Sequence, residues 1–280
     1  SGGDVTFTGN KARYHATRCP SESNWFEHFS KGFRVRIGDV TRQDRAYTPP
    51  VLRLLLDFYE AEWAESGNLM EIHSLSATMF LLVTCLGGMR GYEAVWTDLG
   101  GLRNDVCWIE DTEDETGVGW PIVGRFKAEG GGTGCHVIPI AGTTKSGIQF
   151  FKWTQRFVKR LGDEGRVDGW AFMRNNGERA VAADYRKNIF DKLERIQREQ
   201  PHLIEPTIDV FDAYGVQRSG RRFFDTECLN QGVAKGDIEV QCRWAVDRAA
   251  GGRTVHRGMV DCYADYRNMK PILLRPSQAL

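Results

Sequence analysis

Apolar residues recur with helical spacing from residue 48 onward. Leu52, Leu55, Leu56, Tyr59 and Trp63 share one helical face, with Asp57, Glu60 and Glu62 elsewhere. Thr48 followed by Pro49 suits the start of that helix, a hydroxyl at the cap and a proline in the first turn. A second segment, about 74–87, is apolar nearly all round and predicts a central helix. A short third helix is expected after Gly87-Gly88, over about 90–99. The period then changes to that of strands in VCWIE (106–110), WPIVGRFK (120–127) and CHVIPI (135–140). The acidic stretch 111–119 and the glycine-rich 130–134 are the turns expected between them. Helical patterns return over about 145–161, 182–199, 215–231, 236–248 and 256–266.

The first part of the chain is different. Residues 1–24 show no period and are expected to be loop or arm. Residues 25–37 suit a short helix running into an extended basic segment, and 38–50 suit a linker with Gly38 and Pro49-Pro50. The expected division is therefore 1–47 as an N-terminal arm and linker, and 48–280 as the main domain. The order helices, small antiparallel sheet, helices predicts a mostly helical α+β domain. It excludes an alternating βαβ nucleotide fold, and no Gly-x-Gly-x-x-Gly or phosphate-loop motif is present.

Composition narrows the classes without choosing one. The 280 residues are 41% hydrophobic and 26% charged, ordinary for a globular protein rather than a disordered or fibrous one. The longest apolar run, Met79 to Gly88, is far shorter than the roughly 20 residues of a membrane span, so no membrane association is expected. The Ser-Gly-Gly-Asp start lacks the apolar region of a secretion signal, and a cytoplasmic or nuclear location is expected. Seven cysteines without a Cys-x-x-Cys pair suit free thiols rather than a zinc site or a disulfide framework. The His residues are scattered and form no cluster with the cysteines, and no metal or cofactor is expected. His73 and His136 suit structural places.

Net charge is zero, with 37 basic and 37 acidic residues, which weighs against a nucleic-acid binder taken globally. Locally the balance shifts. Residues 213–280 hold 11 Lys and Arg against 7 Asp and Glu, while 110–115 hold five acids and no base. A DNA-binding surface would have to be a local face.

Four groups of residues carry candidate chemistry. In Leu86-Gly87-Gly88-Met89-Arg90-Gly91-Tyr92-Glu93 an arginine follows the buried helix, with an acid one turn on that can hold its guanidinium in one orientation. Lys127, in Gly124-Arg125-Phe126-Lys127, falls at a hairpin tip. Arg218 and Arg221, in Gln217-Arg218-Ser219-Gly220-Arg221, are spaced to share a helical face, where paired guanidiniums suit a phosphate. Tyr263 and Tyr266 lie among helix formers near the C-terminus. Each has a plainer reading when taken alone: a helix-start ion pair, a solvated turn lysine, a solvated basic face, and core or surface aromatics.

In this order, Arg–Lys–Arg–Arg–Tyr around a small hairpin sheet, the chain resembles the catalytic domain of tyrosine recombinases, the phage-integrase family. The likeness covers roughly residues 48–270. Thr84 to Glu93 is similar to the family's first box, an apolar helix, a small turn and Arg-x-x-Glu or Asp. GRFK and HVIPI resemble its lysine-bearing hairpin, and 170–193 the segment before its second box. Arg221, Phe224 and Gly232 keep the register of the second box, and the family's next position, a His or Trp, falls on Trp244. Residues 25–47 resemble the end of the family's core-binding region and its linker. Two positions depart: Arg218 stands where the family has His, and Tyr263 lies ten residues beyond the expected tyrosine position, Arg253.

The resemblance implies a DNA breaking-rejoining fold with a three-stranded antiparallel sheet. It implies a recombinase or integrase that cleaves and rejoins double-stranded DNA through a 3′-phosphotyrosine. Tyr263 would attack, with Tyr266 as the alternative nucleophile. Arg90 and Arg221 would hold the nonbridging oxygens with Arg218 assisting, Lys127 would protonate the leaving 5′-oxygen, and Trp244 would donate its indole N–H. Glu93 would orient Arg90 or buttress the second box, and His256 would support the site. The implied assembly is a homotetramer on DNA and a monomer or weak oligomer without it. Three alternatives remain open: a type IB topoisomerase-like relaxing enzyme, a catalytically impaired DNA-binding relative, and a neutral helical interaction domain.

Overall fold

The computed structural model describes residues 5–6, 13–14, 44–103, 108–112, 115–125, 133–242 and 276–280. The chain divides into two compact units, Ser1–Gln43 and Asp44–Leu280. In the first, strand β1 (Val5–Thr6) pairs antiparallel with β2 (Arg13–Tyr14), a hairpin in a stretch the sequence pattern reads as loop. Strands of two residues are too short to show an alternation.

The second unit is mostly helical, of the α+β class. Helix α1 (Pro49–Ser66) starts with its prolines in the first turn and buries Val51, Leu52, Leu55, Leu56 and Tyr59 along one stripe. Thr48 holds the cap position through its carbonyl, which accepts the Leu52 N–H (2.9 Å), but its hydroxyl makes no capping bond. Gly67, at φ +54°, ends the helix in a backbone conformation that favours glycine. Helix α2 (Ile72–Leu86) is buried on every side from Ser74 onward. Its Thr78 and Thr84 hydroxyls survive burial because they bond back to Ser74 O (2.8 Å) and Leu81 O (2.9 Å).

The expected helix over 90–99 is broken in two: α3 (Gly91–Ala94) and α4 (Leu99–Arg103). The sheet causes the break. Trp96 O accepts the Val123 N–H (2.9 Å), and the Asp98 N–H bonds to Pro121 O (3.1 Å), so the intervening backbone pairs with a strand instead of continuing the helix. Strands β3 (Trp108–Thr112), β4 (Glu115–Arg125) and β5 (Thr133–Ala141) form an antiparallel sheet in that order. Much of the acidic stretch expected as a turn over 111–119 is strand instead: β3 runs to Thr112, and Gly117–Gly119 pair with Ala141–Pro139 as part of β4. Val118, Trp120 and Ile122 alternate into the core. The Trp120 indole donates to Thr97 Oγ1 (2.7 Å) and its ring meets Phe150 and Phe172.

Helix α5 (Phe150–Asp163) begins five residues later than its pattern suggests, after a turn closed by Thr144 N–H to Ile148 O (3.0 Å). Helix α6 (Arg186–Glu199) follows a 3₁₀ turn, Ala182–Tyr185. Short α7 (Val210–Ala213) is capped by Asp209, whose carboxylate accepts the Phe211 N–H (2.8 Å). Helix α8 (Ser219–Asn230) lies directly on α2, where a Cβ at Gly220 would run into Thr84. Helix α9 (Lys235–Gln241) is anchored to the sheet by Gln241 Nε2, which donates to Pro139 O (2.8 Å). The expected helices over 25–37 and 256–266 lie outside the described residues, as does the end of the one over 236–248. Among the described residues no helix is long and apolar enough to cross a membrane.

Candidate active site

The site is built where the central helix ends. Gly87 N–H still bonds to Val83 O (3.0 Å), and Gly88 then turns the chain at φ +60°. A side chain at Gly88 would be excluded twice, by that conformation and by space: a Cβ would stand 2.8 Å from Phe224 Cδ1 and 2.9 Å from Cys242 Sγ. The tight turn delivers Arg90, in extended backbone, as the residue that caps α3.

Glu93 then reaches back. Its Oε2 accepts the Arg90 backbone N–H (2.8 Å) and its Oε1 accepts the Arg90 Nη1 (3.0 Å), so one carboxylate fixes both main chain and guanidinium. The Tyr92 hydroxyl donates to the same Oε1 (3.3 Å). On its other side Glu93 Oε2 pairs with Arg221 Nη1 at 3.6 Å, although Arg221 lies on α8. A carboxylate only 2% exposed thus holds two guanidiniums from separate elements. An unpaired carboxylate at that depth would cost several kcal/mol, about 3–5 when a buried pair is broken.

The two arginines differ in access. The Arg90 side chain is 34% exposed and that of Arg221 only 6%. Arg221 Nη2 donates to Cys242 O (2.6 Å) at the end of α9. Burial lowers the Arg221 pKa against the pull of Cys242 and Glu93, while for Arg90 the loss from burial is outweighed by Glu93 and Tyr92, which raise it. Both guanidiniums remain cationic at neutral pH, since arginine cannot be deprotonated in practice. Asp225, four residues after Arg221, accepts from the Cys242 thiol at Oδ1 (3.0 Å). Burial pushes the Asp225 carboxyl above its ordinary value despite that bond and three neighbouring arginines, Arg221, Arg222 and Arg90.

Two bonds stitch the loop before α8 to α3. Gln217 O accepts the Gly91 N–H (3.1 Å), and Gln217 Oε1 accepts the Tyr92 N–H (2.9 Å). They satisfy donors that a helix start otherwise leaves open. A Cβ at Gly91 would press on Val216 O and the Ala182 side chain, so the loop approaches as closely as glycine permits.

Of the candidate residues, Arg90, Glu93 and Arg221 therefore meet. Arg218 does not share their setting. Helix α8 starts only at Ser219, whose hydroxyl and N–H are both engaged by Gly215 (2.9 Å each), and this leaves Arg218 outside the helix at φ −133°, exposed. Arg218 holds the cap position of α8, its carbonyl accepting the Arg222 N–H (2.9 Å), with Arg221 three residues on in the first turn. Lys127 falls between β4 and β5, and with Trp244, His256, Tyr263 and Tyr266 it lies outside the described residues. Cys85, Cys228 and Cys242 are buried and reduced. His73 stacks on Tyr185 at 5.4 Å.

Sequence reasoning passed over Tyr92, Gln217, Asp225 and Cys242. Only Asp225 left a usable sign, an acid one helical turn beyond Arg221. Among the described residues no group of three or more His, Cys, Asp or Glu could hold a metal ion. Chemically, one half-exposed and one buried guanidinium on a common carboxylate form a preorganised cationic corner suited to an oxyanion such as a phosphate. No protein-family model matches the chain, and no curated protein matches it.

Proposed function

We propose that this chain is a DNA strand transferase of the tyrosine recombinase type, with that family's breaking-rejoining fold. The observation that carries the proposal is the convergence of Arg90 and Arg221 on Glu93, at 3.0 and 3.6 Å, from two elements separated by the whole sheet and two further long helices. Their order in the sequence resembles that of the family's two boxes, with Phe224 and Gly232 in the register of the second. The function follows from the chemistry. Arg90 and Arg221 hold the nonbridging oxygens of a DNA phosphodiester and stabilise the charge that develops on attack. The Tyr263 oxygen attacks phosphorus as its proton passes to solvent, the bond to the 5′-oxygen breaks, and Lys127 donates a proton to that oxygen. The product is a 3′-phosphotyrosine that a second 5′-hydroxyl can reverse. Trp244 donates its indole N–H at the site, His256 supports it, and four copies assemble on DNA.

The deciding experiment is to trap the full chain on a nicked suicide duplex and map the linked peptide. A covalent adduct on Tyr263 or Tyr266 is the expected result. The absence of any adduct, with DNA binding intact, would leave the second reading, a DNA-binding relative that has lost cleavage. Arg218 is the observation in favour of that reading, since an exposed arginine in the histidine position cannot shuttle a proton at neutral pH.

DNA affinity should depend on salt although the net charge is zero. Contacts from the basic C-terminal part release counterions, so log K should fall linearly with log salt, with a slope of about −0.9 per phosphate contact. An affinity constant from 50 to 200 mM salt in a filter-binding or anisotropy titration would remove phosphate contacts from the proposal.

A further inference from the structure

We propose that Asp225 and Cys242 form a latch that positions Arg221 for strand transfer, a role that rests on the function proposed above. Cys242, the residue after α9, presents two groups to α8. Its carbonyl accepts Arg221 Nη2 at 2.6 Å, and its thiol donates to Asp225 Oδ1 at 3.0 Å. Arg221 and Asp225 are one helical turn apart on α8, so the single residue that follows α9 is held by two successive positions of one helix face.

The latch matters because of what it aligns. A guanidinium has five N–H donors in a rigid fork, and its direction is set by whatever holds its ends. The Cys242 carbonyl fixes Nη2 by a hydrogen bond at 2.6 Å, while Glu93 Oε2 attracts Nη1 as an ion pair at 3.6 Å. A backbone carbonyl stays in place only if its own segment does, and the described part of α9 is just Lys235–Gln241, followed by Cys242. The thiol–carboxylate bond ties that point to α8, as Gln241 Nε2 ties its neighbour to Pro139 O in the sheet (2.8 Å). It joins a residue 1% exposed to a charged acceptor, where hydrogen bonds are strongest. Cys242 Sγ also lies over Gly88, close enough that a Cβ there would stand at 2.9 Å, so the same sulfur touches the turn that delivers Arg90. A misplacement of about 1 Å in such a group costs up to about 10²-fold in rate. Asp225 and Cys242 touch neither the DNA nor the reacting atoms in this scheme. They act through Arg221.

The latch is tested by single-turnover adduct formation on the nicked suicide duplex at saturating protein, with duplex affinity and melting temperature measured beside it. Cys242→Ala should slow the adduct by about tenfold, the effect of losing one charge-assisted hydrogen bond, with affinity changed by less than about twofold. Cys242→Ser has nearly the volume of the alanine variant but restores a donor, and should recover to within about threefold of the wild type. Equal rates for the Ser and Ala variants would show that only packing counts and would overturn the latch. If Cys242→Ala does not fold, Asp225→Asn against Asp225→Leu makes the same comparison from the acceptor side. Asn should be the faster, and equal or reversed rates overturn the proposal. In the double variant Cys242→Ala/Asp225→Ala the two losses should not multiply, because they break one bond. A wild type that forms no adduct removes the strand-transfer function itself, whereas an active wild type with indifferent variants removes only the latch.

Discussion

Arg221→Ala is expected to leave a protein that binds duplex DNA but forms the phosphotyrosine adduct about 10²–10³-fold more slowly than the wild type. Loss of one preorganised donor to a developing oxyanion typically costs about 10²–10³ in rate. Arg221 is the more deeply buried of the two guanidiniums, so it acts where solvent screens it least. Its removal also takes a cation from Glu93 and a donor from Cys242 O. A fall in stability of about 3–5 kcal/mol accompanies that change and would appear in denaturant unfolding. Arg221→Lys separates the two effects. It keeps a charge near Glu93 but not the two-nitrogen fork that spans Glu93 and Cys242, so stability should largely return while the rate does not. Single-turnover kinetics on the suicide duplex would read this directly. An Arg221→Lys rate within about threefold of the wild type would mean that the fork is not used on the phosphate.

Tyr263→Phe should abolish adduct formation entirely while affinity and melting temperature stay at wild-type values. The change removes one oxygen and little packing surface, so only chemistry that needs the hydroxyl is affected. Tyr263 is preferred to Tyr266 because Met259 stands one helical turn before it in the sequence, giving an apolar anchor on the same face of a helix. Tyr266 is flanked by Asp265 and Arg267, which suits an exposed place. Adduct lost in Tyr266→Phe and kept in Tyr263→Phe would shift the nucleophile by one turn. Adduct kept in both would exclude both tyrosines.

The parts of the fold that sequence alone reveals are those set by local periodicity. Leu52, Leu55, Leu56 and Tyr59 announce α1, and the unbroken apolar run through Met79 announces the central helix. Arg90 and Glu93 are legible as a pair because their bond is local, between i and i+3. The features missed depend on partners far away in the chain. The helix after Arg90 stops early because Trp96 and Asp98 are captured by β4, a strand more than twenty residues later. Helix α8 starts at Ser219 because Gly215 engages it, and that boundary decides the exposure of Arg218. Boundaries of this kind are the least legible in sequence. Asp225 and Cys242 each look unremarkable where they stand, a helix-face acid and a thiol in an apolar setting. They gain meaning only once α9 is laid against α8.

The central helix Ile72–Leu86 has no solvent-facing position from Ser74 to its end. Its amides are expected to exchange among the slowest in the molecule, a ranking that native-state hydrogen exchange would read. Arg90 hangs from that helix by only three residues, Gly87, Gly88 and Met89, the last of them fully buried. The backbone that carries the guanidinium is thus mounted on the interior, and the buried Glu93 carboxylate sets its direction. Random mutagenesis should accordingly find the site sensitive to positions that never approach a phosphate. A void opened beneath Leu82 or Leu86 would loosen the mount on which Arg90 is carried.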